Sequence, residues 1–241
     1  EMLLAQRELF STPQQQVRVE HYREQILTIS KQLHIVIPAP ELLAPLFEIA
    51  HRRSADAQQA VAENSALLSA LGTYMIGTQA DKLLGAPQSA SQQQVKRRYL
   101  TLRGRYDLAQ HFILSAYLAN AAGQGVAQGI GLFKEFKDSQ GGTGFSFADL
   151  AADRAGQDFA RLALHPQTAQ RVQQLMRAST DENRFMPDVE RLPEGIQEIE
   201  FKARFGSLDG ADYRLLEAEI EKRLAACSLF ALITEVNTAG Q

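Results

Sequence analysis

Apolar residues recur along most of this chain at intervals of three and four, the spacing that places them on one side of an α-helix. Val19, Tyr22, Ile26, Ile29 and Leu33 follow Thr12-Pro13, a cap residue and a proline suited to a first helical turn, and predict an amphipathic helix. Two heptads fall short of a coiled-coil seam, so this helix is expected to pack inside its own domain. Ile35, Val36 and Ile37 then run into Pro38 and Pro40, which restrain the residues before them. A short helix is predicted from about Glu41 to Arg52. A long helix or a broken pair follows from Ala55 to Leu84, with Gly72 and Gly77 as break points.

The Pro, Ser and Gln-rich stretch Gly85 to Gln94 reads as a linker leading into a basic run, Lys96, Arg97, Arg98, Arg103 and Arg105. Beyond it a hairpin of helices is predicted, Asp107 to about Ala122 and Val126 to about Asp138, with Gly123, Gly125, Gly129 and Gly131 allowing the turn and close backbone contact. Further helices are expected at Ser146 to Leu164, at His165-Pro166 to Arg177, at Glu198 to Phe205 and at Asp209 to Ser228. Asp181 to Gly195, with Pro187 and Pro193, is expected to be irregular. The fold expected is all-α: one helical domain over 1–241 with a Gly-rich helical hairpin at its core, divisible into 1–88, 95–180 and 181–241.

Composition agrees with this pattern. Ala and Gln make up about a quarter of the 241 residues, and β-branched residues cluster in only a few short runs. With 45% hydrophobic residues the chain can bury a core without disulfides, and its single cysteine, Cys227, offers no intramolecular bridge. A formal charge of −3, no Trp and few other aromatic residues argue against nucleic acid as a partner. No apolar run is long enough to span a membrane. The start at Glu1 rather than Met fits a leader or lipid anchor upstream, and lone-cysteine usage fits cytoplasm or periplasm.

The candidate chemistry lies between residues 107 and 158. There polar residues recur at helix-face intervals among small and apolar ones: Asp107 with His111, Lys134 and Glu135 with Asp138, and Asp149 with Asp153. If those faces converge, Asp107, His111, Glu135, Asp138, Asp149 and Asp153 border one polar pocket. Carboxylates with an imidazole suit a divalent metal such as zinc or manganese, with a bound water as nucleophile. Alternatively the carboxylates work without metal, one keeping its proton through burial and acting as general acid while another stays ionised. Glu135, His111 and Asp153 are the candidate catalytic groups.

Each group also has an ordinary structural role open to it. Ser146 and Asp149 form an S-x-x-D capping pattern, Asp107 suits the positive end of a helix, and Lys134 with Asp138 is a common surface pair. His111 could be a core histidine satisfied by Asp107. The order Asp107, His111, Ser115 imitates a hydrolase triad, but three residues on one helical face make a local hydrogen-bond chain rather than an exposed nucleophile beside oxyanion donors. Gly141, Gly142 and Gly144 lack the ending of a phosphate loop. Glu63-Asn64 and His51-Arg52-Arg53 read as surface or buried salt-bridge positions. The basic run at Lys96 to Arg105 leaves open an anionic-surface binder, and helices that pack on a partner leave open a scaffold protein.

The segments RGRYDLAQHF and GLFKEFKDSQGGTGFSFADLAADRAG carry a frame of D-x-x-x-H, K-E-x-x-D, a Gly/Ser-rich turn and S-x-x-D-L-x-x-D. This frame resembles a family of predicted bacterial cell-envelope (periplasmic) proteins of unestablished activity. Its positions here are Asp107, His111, Lys134, Glu135, Asp138, Ser146, Asp149 and Asp153. The resemblance covers about fifty residues and implies an envelope location, a shared polar site and envelope or cell-wall components as partners; it implies no reaction. Glu135, before a Gly/Ser-rich turn, also resembles the glutamate of lysozyme-like muramidases, whose remaining pattern is missing.

Overall fold

The computed structural model describes residues 12–76, 98–123 and 144–233, and the chain is mostly α-helical. Its elements are α1 (Pro13–Gln32), β1 (Val36–Pro38), α2 (Ala39–Arg52), α3 (Ala57–Ile76), β2 (Tyr99–Thr101), α4 (Tyr106–Gly123), α5 (Phe147–Leu164), α6 (Ala169–Arg177), α7 (Glu198–Phe205) and α8 (Ala211–Ala225). The Thr12 hydroxyl accepts from the Gln15 amide at 3.2 Å, and Asp56 Oδ1 accepts from Gln59 at 2.8 Å, so α1 and α3 each begin on a side-chain cap. Gly85 to Gln94, the second helix of the expected glycine hairpin, and Lys134, Glu135 and Asp138 lie outside the described residues.

Two short strands add what the sequence pattern did not predict. β1 and β2 pair in parallel, Ile37 opposite Leu100, although the two runs stand about sixty residues apart. β2 occupies part of the basic run, where Tyr99 and Leu100 follow directly on Arg98 and Leu100 is fully buried. Helix α3 runs unbroken through Gly72. That glycine makes room for a neighbour instead: a Cβ there would stand 2.4 Å from the ring of Tyr117 on α4.

The core is a set of aromatic and aliphatic side chains from α2, α4 and α5. Phe159 stands edge-on to Phe47 and Phe112, with ring centroids 5.8 and 5.4 Å apart, and Phe112 also meets Phe185 at 5.4 Å. A second aromatic group, Phe147, Phe205 and Tyr213, joins α5 to α7 and α8.

Two buried polar groups between the helices, Glu63 and Asn64, are each held by several partners. Glu63 on α3 is 3% exposed and accepts from Arg18 Nε at 3.0 Å, Arg53 Nε at 2.8 Å and the Tyr22 hydroxyl at 2.8 Å, which draws α1, α2 and α3 together. Burial and the neighbouring carboxylate push the Tyr22 phenol up, so it stays a donor. Asn64 donates to the carbonyls of Ala163 and Ala169 and accepts from Gln173, closing the end of α5 onto α3 and α6. These pairings specify the packing, because an apolar neighbour would leave a buried charge or amide unsatisfied.

Among the described residues the α4–α5 pair is the most extensive helix contact, and its closeness has a local cause. Gly156 of α5 faces the backbone of α4, where a Cβ would fall 2.1 Å from the Phe112 carbonyl oxygen and clash with main chain rather than a movable side chain. Substituting Gly156 by Ala is expected to separate the helices and cost about 1–3 kcal/mol, the usual range for overpacking. Gly104→Ala, at a positive φ of 71° with open space around it, is expected to cost about 1 kcal/mol through backbone strain alone. Urea denaturation of both variants measures the difference.

Candidate functional site

The close crossing of α4 and α5 sets the site. His111 and Ser115 lie one turn apart on α4, and Asp149 and Asp153 lie one turn apart on α5, so each helix presents a polar pair. The pairs meet. His111 Nδ1 is 3.1 Å from Asp153 Oδ1, and His111 Nε2 is 3.5 Å from Asp149 Oδ2. Ser115 Oγ donates to the same Asp153 Oδ1 at 2.6 Å. An ionised carboxylate can only accept, which assigns the shared proton to Nδ1 of the ring.

The site grades from buried to wet. Side-chain exposure is 9% for His111, 14% for Asp153 and 25% for Asp149. At the rim Arg105 forms paired bonds to Glu194, both at 2.7 Å, and bonds to Asp107 at 3.2 and 2.6 Å. Ser146 caps α5 by accepting from the Asp149 amide at 3.1 Å, and its hydroxyl also lies 3.5 Å from Glu194. Asp149 therefore serves two ends: its amide completes the cap while its carboxylate faces His111. Asp149 Oδ1 is buried and has no hydrogen-bond partner among the described residues.

These surroundings shift the ionisable groups in definite directions. Burial alone would lower the His111 imidazole, but the bond to Asp153 and the charges of Asp153, Asp149 and Asp107 outweigh it and raise His111 above its ordinary range. Asp149 is raised chiefly by burial; the His111 and Arg105 charges oppose that, while Asp107 and Asp153 add to it. Burial would raise Asp107 too, yet the Arg105 bonds and charge and the amides at the start of α4 lower it. One imidazole and one carboxyl thus both hold protons more tightly than they would in water.

The sequence-predicted set divides accordingly. His111, Asp149 and Asp153 come together. Asp107 stands at the rim in the grip of Arg105 and acts on His111 through its field, so the expected Asp107 partnership of His111 is corrected: α5 reaches the ring first, with Asp153. The imitation triad is also absent, because Ser115 bonds Asp153 rather than His111. Arg105 and Glu194 belong to the rim although one lies in the basic run and the other in the segment expected to be irregular; their separation of 89 residues leaves no local signal. Glu63, itself buried, forms a salt bridge with the exposed Arg53, so this pair joins the two settings their positions suggested. Among the described residues no group of three or more His, Cys, Asp and Glu side chains has an arrangement that could hold a metal ion, and no helix is long and apolar enough to cross a membrane.

Comparison with known protein families, with curated proteins and with solved structures gives no match to this chain.

The raised groups imply a pH dependence of stability. His111 binds its proton more tightly folded than unfolded, so its contribution is complete below the unfolded value of about 6.5 and is lost as pH rises through the folded value. Asp149 has the same sign: its contribution is complete below about 3.8 and is lost on raising the pH through its folded value. Stability should therefore fall as pH rises from about 6 to about 9, and this fall should shrink in His111→Gln. Urea denaturation of the two proteins at both pH values checks it; equal slopes would contradict the raised imidazole.

Proposed function

We propose that this is a bacterial cell-envelope protein whose His111–Asp149–Asp153 cluster is an acid–base site of the hydrolytic kind. What carries the reading is one imidazole set between two carboxylates, 3.1 Å from Asp153 and 3.5 Å from Asp149, at the partly buried end of a polar rim. Asp153 orients the ring through Nδ1. The facing pair, His111 Nε2 and the Asp149 carboxyl, holds a proton between them that burial and the surrounding charges retain. Such a pair can give that proton to the leaving oxygen of a scissile ester or acetal bond as the bond breaks. The attacking water adds to the other fragment and returns its proton to the pair, so the site ends as it began.

The envelope location rests on the sequence frame around Asp107, His111, Asp149 and Asp153, and cell-wall or other envelope components are the natural substrates there.

The test is hydrolysis of chromogenic esters, phosphoesters and glycosides by the purified protein, with and without chelator and added divalent ions, beside His111→Gln and Asp149→Asn. The expected result is turnover of one substrate class that falls about 100-fold or more in both variants, the scale of a lost acid–base group. Turnover that ignores both substitutions, or none with any substrate or ion, would overturn the proposal.

A further inference from the structure

The His111–Asp153 contact has a third member whose place no acid–base role explains. Ser115 is 3% exposed, sits one turn beyond His111 on α4, and directs its hydroxyl to Asp153 Oδ1 at 2.6 Å, the same oxygen that faces His111 Nδ1 at 3.1 Å. Both bonds cross from α4 to α5, so one carboxylate oxygen of α5 is fixed by two donors of α4. A buried serine of this kind cannot act as a nucleophile toward a ligand at the rim, and it lacks the contact with the imidazole that would activate it. It is placed to do something else.

A carboxylate on a single-turn side chain can rotate, and either of its oxygens can meet the ring. With one donor the group is free to swing; with two donors converging on Oδ1 from adjacent turns of one helix, its rotation is fixed. The orientation of the ring depends in turn on that oxygen, because a neutral imidazole places its single proton on the nitrogen that faces the better acceptor. Asp153 faces Nδ1 and Asp149 faces Nε2, so the two carboxylates compete for that proton from opposite sides of the ring. Among the described residues, the other charged groups near the ring are Asp107 on its own helix and Arg105 just before it, paired to Asp107 and to Glu194.

We infer that Ser115 is a positioning residue of the acid–base site: by holding Asp153 Oδ1 against Nδ1 it keeps the ring proton on Nδ1, with Nε2 turned to Asp149. This rests on the proposed acid–base reading. It deepens it by naming the group that sets which nitrogen of His111 carries the proton, and it assigns no contact with substrate to Ser115.

Nitrogen-15 NMR of the His111 ring in the intact protein tests this, because the two neutral tautomers have distinct nitrogen shifts. At a pH above the His111 titration, the wild-type ring is expected to carry its proton on Nδ1. Ser115→Ala should convert it to a mixture with a substantial share of the Nε2–H form, and Ser115→Thr, which restores a hydroxyl, should return it. Circular dichroism confirms that each variant is folded, and the Thr variant keeps the test open if the Ala variant is unstable. An unchanged tautomer in Ser115→Ala overturns the positioning role while leaving the acid–base reading in place. A wild-type ring that is protonated on Nε2 overturns both.

Discussion

The bond between His111 and Asp153 is the constraint around which the site is arranged. It crosses between two helices whose backbones approach closely only because Gly156 has no side chain, and it leaves the opposite ring nitrogen facing Asp149. The raised imidazole and the raised Asp149 follow from that crossing. The helices carry one polar pair each, the pairs are brought into a low-dielectric contact, and the imidazole and Asp149 respond by holding protons. If the helices stood a side chain further apart, the same residues would be separate surface polar groups with ordinary chemistry.

Elsewhere the fold handles buried polarity differently. Glu63 receives three donors and Asn64 reaches two carbonyls and Gln173, so both are consumed by packing. Asp149 is the contrast: it is partly buried, its amide is spent on the helix cap, and one carboxylate oxygen has no partner among the described residues. The difference between a satisfied structural carboxylate and one with bonding capacity left over separates the Glu63 cluster from the His111 cluster.

Much of this was legible in the sequence because helix periodicity is a local signal. The bounds of α4 and α5 fall within a residue or so of the hydrophobic pattern, Glu198 to Phe205 coincides with α7, and Ser146 caps α5 as its spacing implied. The same periodicity put Asp149 with Asp153 on one face. It cannot say which face meets which helix, so periodicity alone pairs His111 with Asp107, its neighbour in sequence, and joins it to Asp153 only if the two faces converge. The roles of Gly72 and Gly156 depend on what lies opposite, and α3 passes through Gly72 without a break because Tyr117 fills that space. The β1–β2 pairing and the Arg105–Glu194 bridge join segments far apart in the chain and leave no periodic trace.

The most direct test of this account is a double-mutant cycle on His111→Gln and Asp153→Asn, with unfolding free energy measured at a pH where the imidazole is charged. Two groups in direct contact inside a polar network should show a coupling of about 1 kcal/mol or more. Additivity within about 0.3 kcal/mol would mean that the imidazole and the carboxylate act independently, and would contradict the claim that their bond organises the site.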